Sequence, residues 1–249
     1  MIEALMLFAA GFVGGVMNTV AGGGTFVTFP ALVFAGIPIV SANATSTVAA
    51  LPGYLAGAVG FRHELKLLDR ALIARLTGIT LVGGLVGSGL LMVSSNATFA
   101  AIVPFLLLAA TLAFLYGDRV RAFAARHRKG VVPFGAGSLI GVAIYGGYFN
   151  GGLGIVLLAL FTLWGMTDLH QMNGLKTWLS FALSVISAIA FAAGGILVWS
   201  AALPMMVGTI TGGYLGAPLA RRIPRSWLRA LIAAIGFGMA AVFFVRLVT

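Results

Sequence analysis

A long apolar stretch interrupted by glycines lies near the start of the chain, where residues 4–36 read ALMLFAAGFVGGVMNTVAGGGTFVTFPALVFAG. Two apolar segments, 4–20 and 25–36, flank a glycine triplet. The second segment has 12 residues. At ~1.5 Å per residue, a helix of that length covers about 18 Å of the ~30 Å apolar core of a bilayer. The stretch therefore predicts a broken helical hairpin, either re-entrant or built from two short spans.

Composition predicts a membrane protein throughout the chain. Of the 249 residues, 61% are hydrophobic and 8% are charged, and the mean hydropathy is +1.10, whereas about a quarter of the residues of a soluble domain are charged. The apolar runs are continuous, as in helices that span a bilayer, and do not alternate as barrel strands do. The sequence contains no cysteine, which excludes disulfides and cysteine-bound metals. We expect an all-α, multi-pass protein of the cell inner membrane.

The basic residues predict the orientation of the spans. Further apolar segments follow at 44–61, 71–93, 98–116, 131–149, 154–165, 174–193, 198–220 and 228–248. Thirteen of the fifteen Lys and Arg residues cluster between these segments or near their starts, which follows the positive-inside rule rather than the pattern of a nucleic-acid-binding protein. We therefore place loops 62–70, 118–130 and 221–227 in the cytoplasm. Segment 131–165 must then return to the side from which it starts, and both termini are predicted to be non-cytoplasmic.

The two halves of the chain carry a repeat at an offset of about 130 residues. The matched positions pair Gly11 with Gly141, Gly22 with Gly152, Gly24 with Gly154, Asn43 with Asn173, and Thr47 with Thr177. Each copy contains one broken hairpin and three full spans, so the second copy must be inverted relative to the first. We predict a first repeat at 1–117, a basic cytoplasmic linker at 118–130 and a second repeat at 131–249, an architecture typical of secondary transporters.

The residues around the first break resemble the sulfite exporter TauE/SafE family. Residues 14–30, with the glycine triplet and a following proline, carry the resemblance, together with Gly-Ile-Pro at 36–38 and Ala-Asn-Ala-Thr-Ser at 42–46. The second half departs from the family pattern, because Asn-Gly-Gly-Leu-Gly at 150–154 and Asn-Gly-Leu-Lys-Thr at 173–177 replace the corresponding motifs. The resemblance implies a permease for sulfite, sulfonates or related organosulfur anions.

The two glycine-rich breaks form the predicted binding site. No Lys-Ser/Thr follows the first glycines, which disfavours a nucleotide-binding loop. The short helices that begin near Thr25 and Gly154 direct their N-termini, and hence their positive dipole ends, at the breaks. The predicted substrate contacts here are Asn18, Gly22, Gly23, Gly24, Thr25, Tyr148, Asn150, Gly151, Gly152 and Gly154. The alternative is that glycines only permit close helix packing, the role that we assign to Gly53, Gly57, Gly83, Gly87, Gly212 and Gly216.

Lys176 lies inside a predicted apolar span, at the third or fourth position of segment 174–193, and outside the three clusters of basic residues. On a helix it shares a face with Asn173 and Thr177, and Asn43 and Thr47 form the matching face in the first half. Charges inside a membrane usually mark a transport pathway. The alternative is a lysine that extends to the cytoplasmic headgroups. We predict that both faces line the site, which then carries one positive charge.

The acidic residues favour an anionic substrate. All five carboxylates lie in predicted loops or at the ends of spans, whereas a cation pump or proton relay normally carries an acid at mid-membrane. We predict a secondary transporter for a small anion, without a cofactor or metal site. An anion channel with the same site is the alternative, and a membrane enzyme is disfavoured because the three histidines lie in separate loops. A coupling ion (H+ or Na+) and homo-oligomerisation stay open at this stage.

Overall fold

Helices form the regular secondary structure of the described part of the chain. The computed structural model describes residues 2–21, 23–127, 132–220 and 225–248. In chain order the helices are α1 (Ile2–Ala21), α2 (Thr25–Phe34), α3 (Ile39–Gly60), α4 (Arg62–Lys66), α5 (Arg70–Val93), α6 (Asn96–Leu115), α7 (Gly117–Arg126), α8 (Ala136–Tyr148), α9 (Leu153–Leu163), α10 (Leu169–Ala193), α11 (Trp199–Ala220) and α12 (Arg225–Val248). The all-α prediction is confirmed for these residues. Gly22 and the basic residues at 128–129 and 221–222, on which some predictions rest, lie outside them.

The lengths of the helices suit a multi-pass membrane protein. Among the described residues, α5, α6 and α10 are long and apolar enough to cross a membrane. Helices α2, α8 and α9 are apolar but have only 10, 13 and 11 residues. All three of these short helices flank a break.

Both predicted interruptions are present. Helix α1 ends at Ala21 and α2 begins at Thr25, while α8 ends at Tyr148 and α9 begins at Leu153. In the second interruption Gly152 has a φ of +74°, in the left-handed region that glycine adopts without the steric cost of a Cβ atom. A glycine is therefore required where the chain turns into α9.

Helix α10 begins at Leu169, earlier than the hydropathy pattern predicts. Asp168 caps the helix, because its carboxylate accepts the N–H groups of His170 at 2.8 Å and Gln171 at 3.1 Å. The polar side chains of the first turns lower the local hydropathy, which places the predicted start too late. Lys176 is consequently the eighth residue of α10 rather than the third or fourth, about 10 Å from the helix start at ~1.5 Å per residue.

Two of the basic segments contain short helices. Helix α4 lies in the first predicted cytoplasmic loop. Helix α7 occupies most of the predicted linker, packs against α9 and carries an ion pair between Arg121 and Asp118. The cytoplasmic location of these segments stays a prediction.

Helices of the two halves pack in reciprocal pairs. Helix α1 packs on α11, and α8 packs on α5, so each broken hairpin lies against a helix of the other half. At the 130-residue offset α1 corresponds to α8, and α5 corresponds to α11. The two remaining main pairs, α3 with α10 and α6 with α12, each join a helix to its own counterpart.

Glycines allow these helices to approach closely. A Cβ atom at Gly87 would collide with the backbone carbonyl oxygen of Ile144, and one at Gly212 would collide with that of Phe12. A Cβ atom at Gly83 would lie 2.6 Å from the Cβ atom of Ala143. The packing role predicted for these three glycines is therefore confirmed, whereas the surroundings of Gly216 lie outside the described residues.

Candidate functional site

A cavity of about 580 Å³ lies where the two halves meet. Its walls come from α3, α10 and α11, and from the parts of α1 and α9 that adjoin the breaks. The cavity extends to the C-terminal end of α3, next to the basic helix α4. Five of the predicted substrate contacts line it: Asn18, Gly154, Asn173, Lys176 and Thr177.

Lys176 is the only charged side chain among the described residues that line the cavity. Its Nζ atom donates a hydrogen bond of 2.9 Å to Oδ1 of Asn173, and the described residues give it no ion-pair partner. An ammonium group has three donors, so two remain for a ligand. A half-buried cation without a counterion favours an anion in the same space.

One face of α10 forms the polar wall of the cavity. Asn173, Lys176, Thr177 and Ser180 lie along this face. Ser180 is 1% exposed, and its hydroxyl has no hydrogen-bond partner among the described residues, although buried polar groups are normally bonded. Thr177 differs, because its hydroxyl is 3.0 Å from the backbone carbonyl of Asn173. Ser180 is therefore the hydroxyl on this wall with an unused donor.

The backbone at the start of α9 adds positive electrostatic potential to the cavity. Ile155 and Val156 donate their N–H groups to the carbonyl of Gly152 at 3.0 and 3.3 Å, and Gly154 lines the cavity between them and the break. The first amides of a helix carry the positive end of its dipole, so this end of α9 favours negative charge in the cavity. The N-terminus of α2 is placed differently, because Thr25 is buried and does not line the cavity.

Tyr54 connects the two breaks. Its hydroxyl donates to Oδ1 of Asn150 at 3.1 Å and also interacts with the side chain of Thr25 at the start of α2. Nδ2 of Asn150 lies 3.5 Å from the hydroxyl of Ser184, at the edge of hydrogen-bonding distance. Tyr54, which lines the cavity, thus brings together Thr25 and Asn150, two predicted substrate contacts that do not line it.

The face of α3 that corresponds to this face of α10 is closed off from the cavity. Nδ2 of Asn43 donates to the backbone carbonyl of Tyr148 at 2.9 Å. The hydroxyl groups of Thr28 and Ser46 are hydrogen-bonded at 2.7 Å, and Thr47 donates to the carbonyl of Asn43 at 3.0 Å. Asn43, Ser46 and Thr47 are all at most 2% exposed. The predicted contacts Asn43, Thr47 and Tyr148 therefore form a sealed counterpart of the open face on α10.

Gly23, Gly24, Gly151 and Gly152 shape the backbone at the breaks without lining the cavity. A Cβ atom at Gly24 would lie 3.1 Å from Cβ of Asn18, and one at Gly152 would lie 2.9 Å from Cβ of Ala110. Gly23 and Gly151 are buried in the same turns. Gly22, also predicted as a contact, lies outside the described residues.

Three residues of this candidate site are absent from the sequence-based prediction: Tyr54, Ser180 and Ser184. Ser180 shares the helical face of Asn173, which it follows by seven residues, or two turns, so extending that face along α10 would find it. The contact between Tyr54 and Asn150 joins residues 96 apart in sequence, and local spacing carries no signal for it.

Comparison with known proteins identifies the family. The family model described as "Sulfite exporter TauE/SafE" matches residues 7–243. A "Probable membrane transporter protein" of Haemophilus influenzae is 30% identical over 237 residues, which cover 95% of this chain and 92% of the relative. The "Probable membrane transporter protein YfcA" of Escherichia coli is 27% identical over 241 residues, which cover 95% and 87%. No solved structure gives a significant match.

The apolar helices and these matches define the class of the protein as a multi-pass membrane transporter. The chain belongs to the sulfite exporter TauE/SafE family.

Proposed function

We propose that this chain is a secondary transporter of the inner membrane that carries a small anion, either sulfite or an organosulfonate, by alternating access. The observation that carries the proposal is the cavity in which Lys176 has no counterion among the described residues. Relatives named as probable membrane transporter proteins support transport as the activity.

The electrostatics of the cavity suit an anion. An anion that leaves water must regain hydrogen bonds and positive charge, or its burial becomes prohibitive. Lys176 supplies a full charge, Ser180 a hydroxyl donor, and the start of α9 at Gly154 roughly half an elementary charge. No carboxylate is present among the described lining residues to repel the substrate.

Alternating access requires two equivalent arrangements of the halves. The 130-residue offset and the reciprocal packing of α1 on α11 and of α8 on α5 support a pair of inverted repeats. The open face on α10 and the sealed face on α3 support a state in which the site is accessible from one side. We infer that exchanging these two arrangements between the halves moves the site from one side of the membrane to the other.

Flux measurements in proteoliposomes test this proposal. Purified protein should give saturable uptake of radiolabelled sulfite, and unlabelled sulfite or an alkanesulfonate inside the vesicles should accelerate that uptake by counterflow. Empty liposomes are the control. Flux that rises linearly with concentration and shows no counterflow would indicate an anion channel with the same site. Folded protein that moves none of these anions would refute the proposal.

A further inference from the structure

The sealed face of α3 contains a buried oxygen atom without a partner, and we infer that this face binds a monovalent metal cation, with Na+ as the probe. Oδ1 of Asn43 has no hydrogen-bond partner among the described residues, and Asn43 is 1% exposed. Nδ2 of the same amide donates to the carbonyl of Tyr148, which can only accept, so the orientation of the amide is fixed. Buried polar atoms are normally satisfied, and an acceptor is satisfied by a donor or by a cation.

The second half of the chain holds a cation at the equivalent position. At the 130-residue offset Asn43 corresponds to Asn173, and Ser46 corresponds to Lys176. Oδ1 of Asn173 accepts a hydrogen bond of 2.9 Å from the ammonium group of Lys176. The first half carries a neutral serine where the second half carries this ammonium group. A free cation at Oδ1 of Asn43 would give the first half the interaction that Lys176 provides in the second.

The C-terminal end of α8 favours positive charge beside Asn43. Helix α8 ends at Tyr148, whose carbonyl oxygen lies 2.9 Å from Nδ2 of Asn43. The last carbonyls of a helix have no partner within the helix and carry the negative end of its dipole. In transporters with interrupted helices, the C-terminal ends of half-helices and unwound carbonyls coordinate the coupling cation. Asn43 therefore places its oxygen where the backbone already attracts a cation.

Neighbouring hydroxyl groups supply further oxygen ligands. Ser46 and Thr47 follow Asn43 by three and four residues, so the three side chains lie on the same face of α3. The hydroxyl of Ser46 lies 2.7 Å from that of Thr28 on α2, which connects this face to the first break. Oxygen atoms of this kind are the ligands that hard metal cations take.

The neutral ligands determine the charge of the cation. Sites for Ca²⁺ and Mg²⁺ normally include carboxylates, whereas α2, α3 and the second break carry no acidic residue. Amide and hydroxyl side chains do not take up a proton near neutral pH, so this cluster cannot carry H+. A monovalent metal ion is the cation that matches these ligands.

Sodium binding to the purified full chain tests the inference. Radiolabelled Na+ should bind saturably. The unfolding midpoint in detergent should rise with NaCl but not with choline chloride at the same ionic strength, because a ligand of the folded state stabilises it. Neither measurement needs an anionic substrate, so both are independent of the proposed function.

Two variants that remove a hydroxyl group locate the cation. Ser46→Ala should weaken Na+ binding about tenfold or more, since even the residues that support metal ligands contribute about 10–100-fold. Thr28→Val should have a similar effect and replaces Ser46→Ala if that variant does not fold. Ser88→Ala is the matched control, because Ser88 is equally buried but bonds to Gly84 and Ser187. Its Na+ affinity should equal that of the wild type.

The role of this cation as the coupling ion rests on the proposed function and has its own test. In proteoliposomes, NaCl on both sides should accelerate sulfite counterflow relative to choline chloride. Ser46→Ala should reduce this difference, and Ser88→Ala should preserve it. Sodium that binds without any effect on counterflow would overturn the coupling role.

The outcomes separate this inference from the proposed function. Sodium that neither binds saturably nor raises the unfolding midpoint overturns the inference, and so do equal effects of Ser46→Ala and Ser88→Ala. If sulfite still shows counterflow in those cases, the proposed function stands. Folded protein that binds Na+ but moves no sulfite would support the cation site and refute the proposed function.

Discussion

Nδ2 of Asn43 donates a hydrogen bond of 2.9 Å to the backbone carbonyl of Tyr148, across the two halves of the chain. At the 130-residue offset the equivalent residues are Asn173 and Asn18. Both of these line the cavity, and Asn173 accepts a hydrogen bond from Lys176. The same pair of positions is therefore bonded in one half and open in the other. Alternating access would require the bond of Asn43 to break when the site opens to the opposite side.

Removing this bond should expose the sealed face. Thr47 is buried, whereas its counterpart Thr177 lines the cavity, so a Thr47→Cys reporter should react with a maleimide only when the sealed face opens. In the Asn43→Ala background we expect reporter labelling several-fold faster, because the variant loses a bond worth roughly 1 kcal/mol. Asn173→Ala is the matched control and should not accelerate labelling. Equal rates in both backgrounds would contradict the proposed seal.

Replacing Lys176 with Met should weaken substrate binding about tenfold or more, the effect of losing a charge-assisted hydrogen bond worth ~1.5–3 kcal/mol. Methionine keeps the length and apolarity of the side chain. Folding should survive, because no carboxylate among the described residues is paired with this lysine. Calorimetric titration with a sulfonate measures the change.

Lys66→Met is the matched control for this prediction. Lys66 lies exposed on α4 and does not line the cavity, so its removal should leave the affinity unchanged. Equal affinities for the wild type and Lys176→Met would show that this lysine only extends to the lipid headgroups. The site would then depend on its neutral donors.

The sequence predicted more of the fold than of the candidate site. Glycine-rich breaks leave a clear pattern, because glycine is needed where the backbone turns at Gly152 and where α5 approaches α8 at Gly87. The sequence also predicted the shared face of Asn173, Lys176 and Thr177, since helical spacing alone places these residues together. The sequence could not predict that the face of Asn173 on α10 is open and that of Asn43 on α3 is sealed. The 130-residue repeat makes the two faces equivalent, whereas the structure shows them in different states.

Two errors of prediction have local physical causes. The start of α10 was misplaced because hydropathy penalises the polar first turn, whereas the capping carboxylate of Asp168 stabilises it. Ser180 was overlooked because a serine in an apolar helix usually bonds to the preceding turn, as Ser88 does to the carbonyl of Gly84. Only the surroundings of Ser180 show that its hydroxyl is left free.

Single cysteines test the predicted topology, because the chain has no native cysteine. Ala97, in the first turn of α6, and Ala125, near the end of α7, are both exposed. A membrane-impermeant maleimide should label Ala97→Cys in intact cells and Ala125→Cys only in inside-out vesicles. The expectation rests on the clustering of basic residues beside Ala125. Labelling of Ala125→Cys in intact cells would reverse the assigned orientation.

Gly87→Ala tests the close packing of α5 on α8. The added methyl group would collide with the carbonyl oxygen of Ile144 and lie 2.8 Å from the N atom of Tyr148, and backbone atoms cannot move aside without separating the helices. Overpacking of this kind costs about 1–3 kcal/mol or more. Thermal unfolding in detergent should therefore show a lower midpoint for this variant.

Gly89→Ala, two residues further along α5, is the matched control. A Cβ atom there would have no neighbour within 4 Å, so its unfolding midpoint should be unchanged or higher, because alanine favours a helix over glycine by up to ~1 kcal/mol. Equal losses of stability in both variants would mean that the contact with α8 is not what requires glycine at position 87.

Tyr54→Phe should destabilise the junction of the two breaks. The hydroxyl of Tyr54 donates to Oδ1 of Asn150 at 3.1 Å, so its removal leaves a buried carbonyl oxygen without this donor, a loss of about 1–3 kcal/mol. Transport should fall together with stability, because the breaks would no longer be connected. Tyr116→Phe is the control, since Tyr116 is 47% exposed and its ring can still stack with Arg119. If the two variants lower the unfolding midpoint and the sulfite flux equally, the bond between Tyr54 and Asn150 does not couple the two breaks.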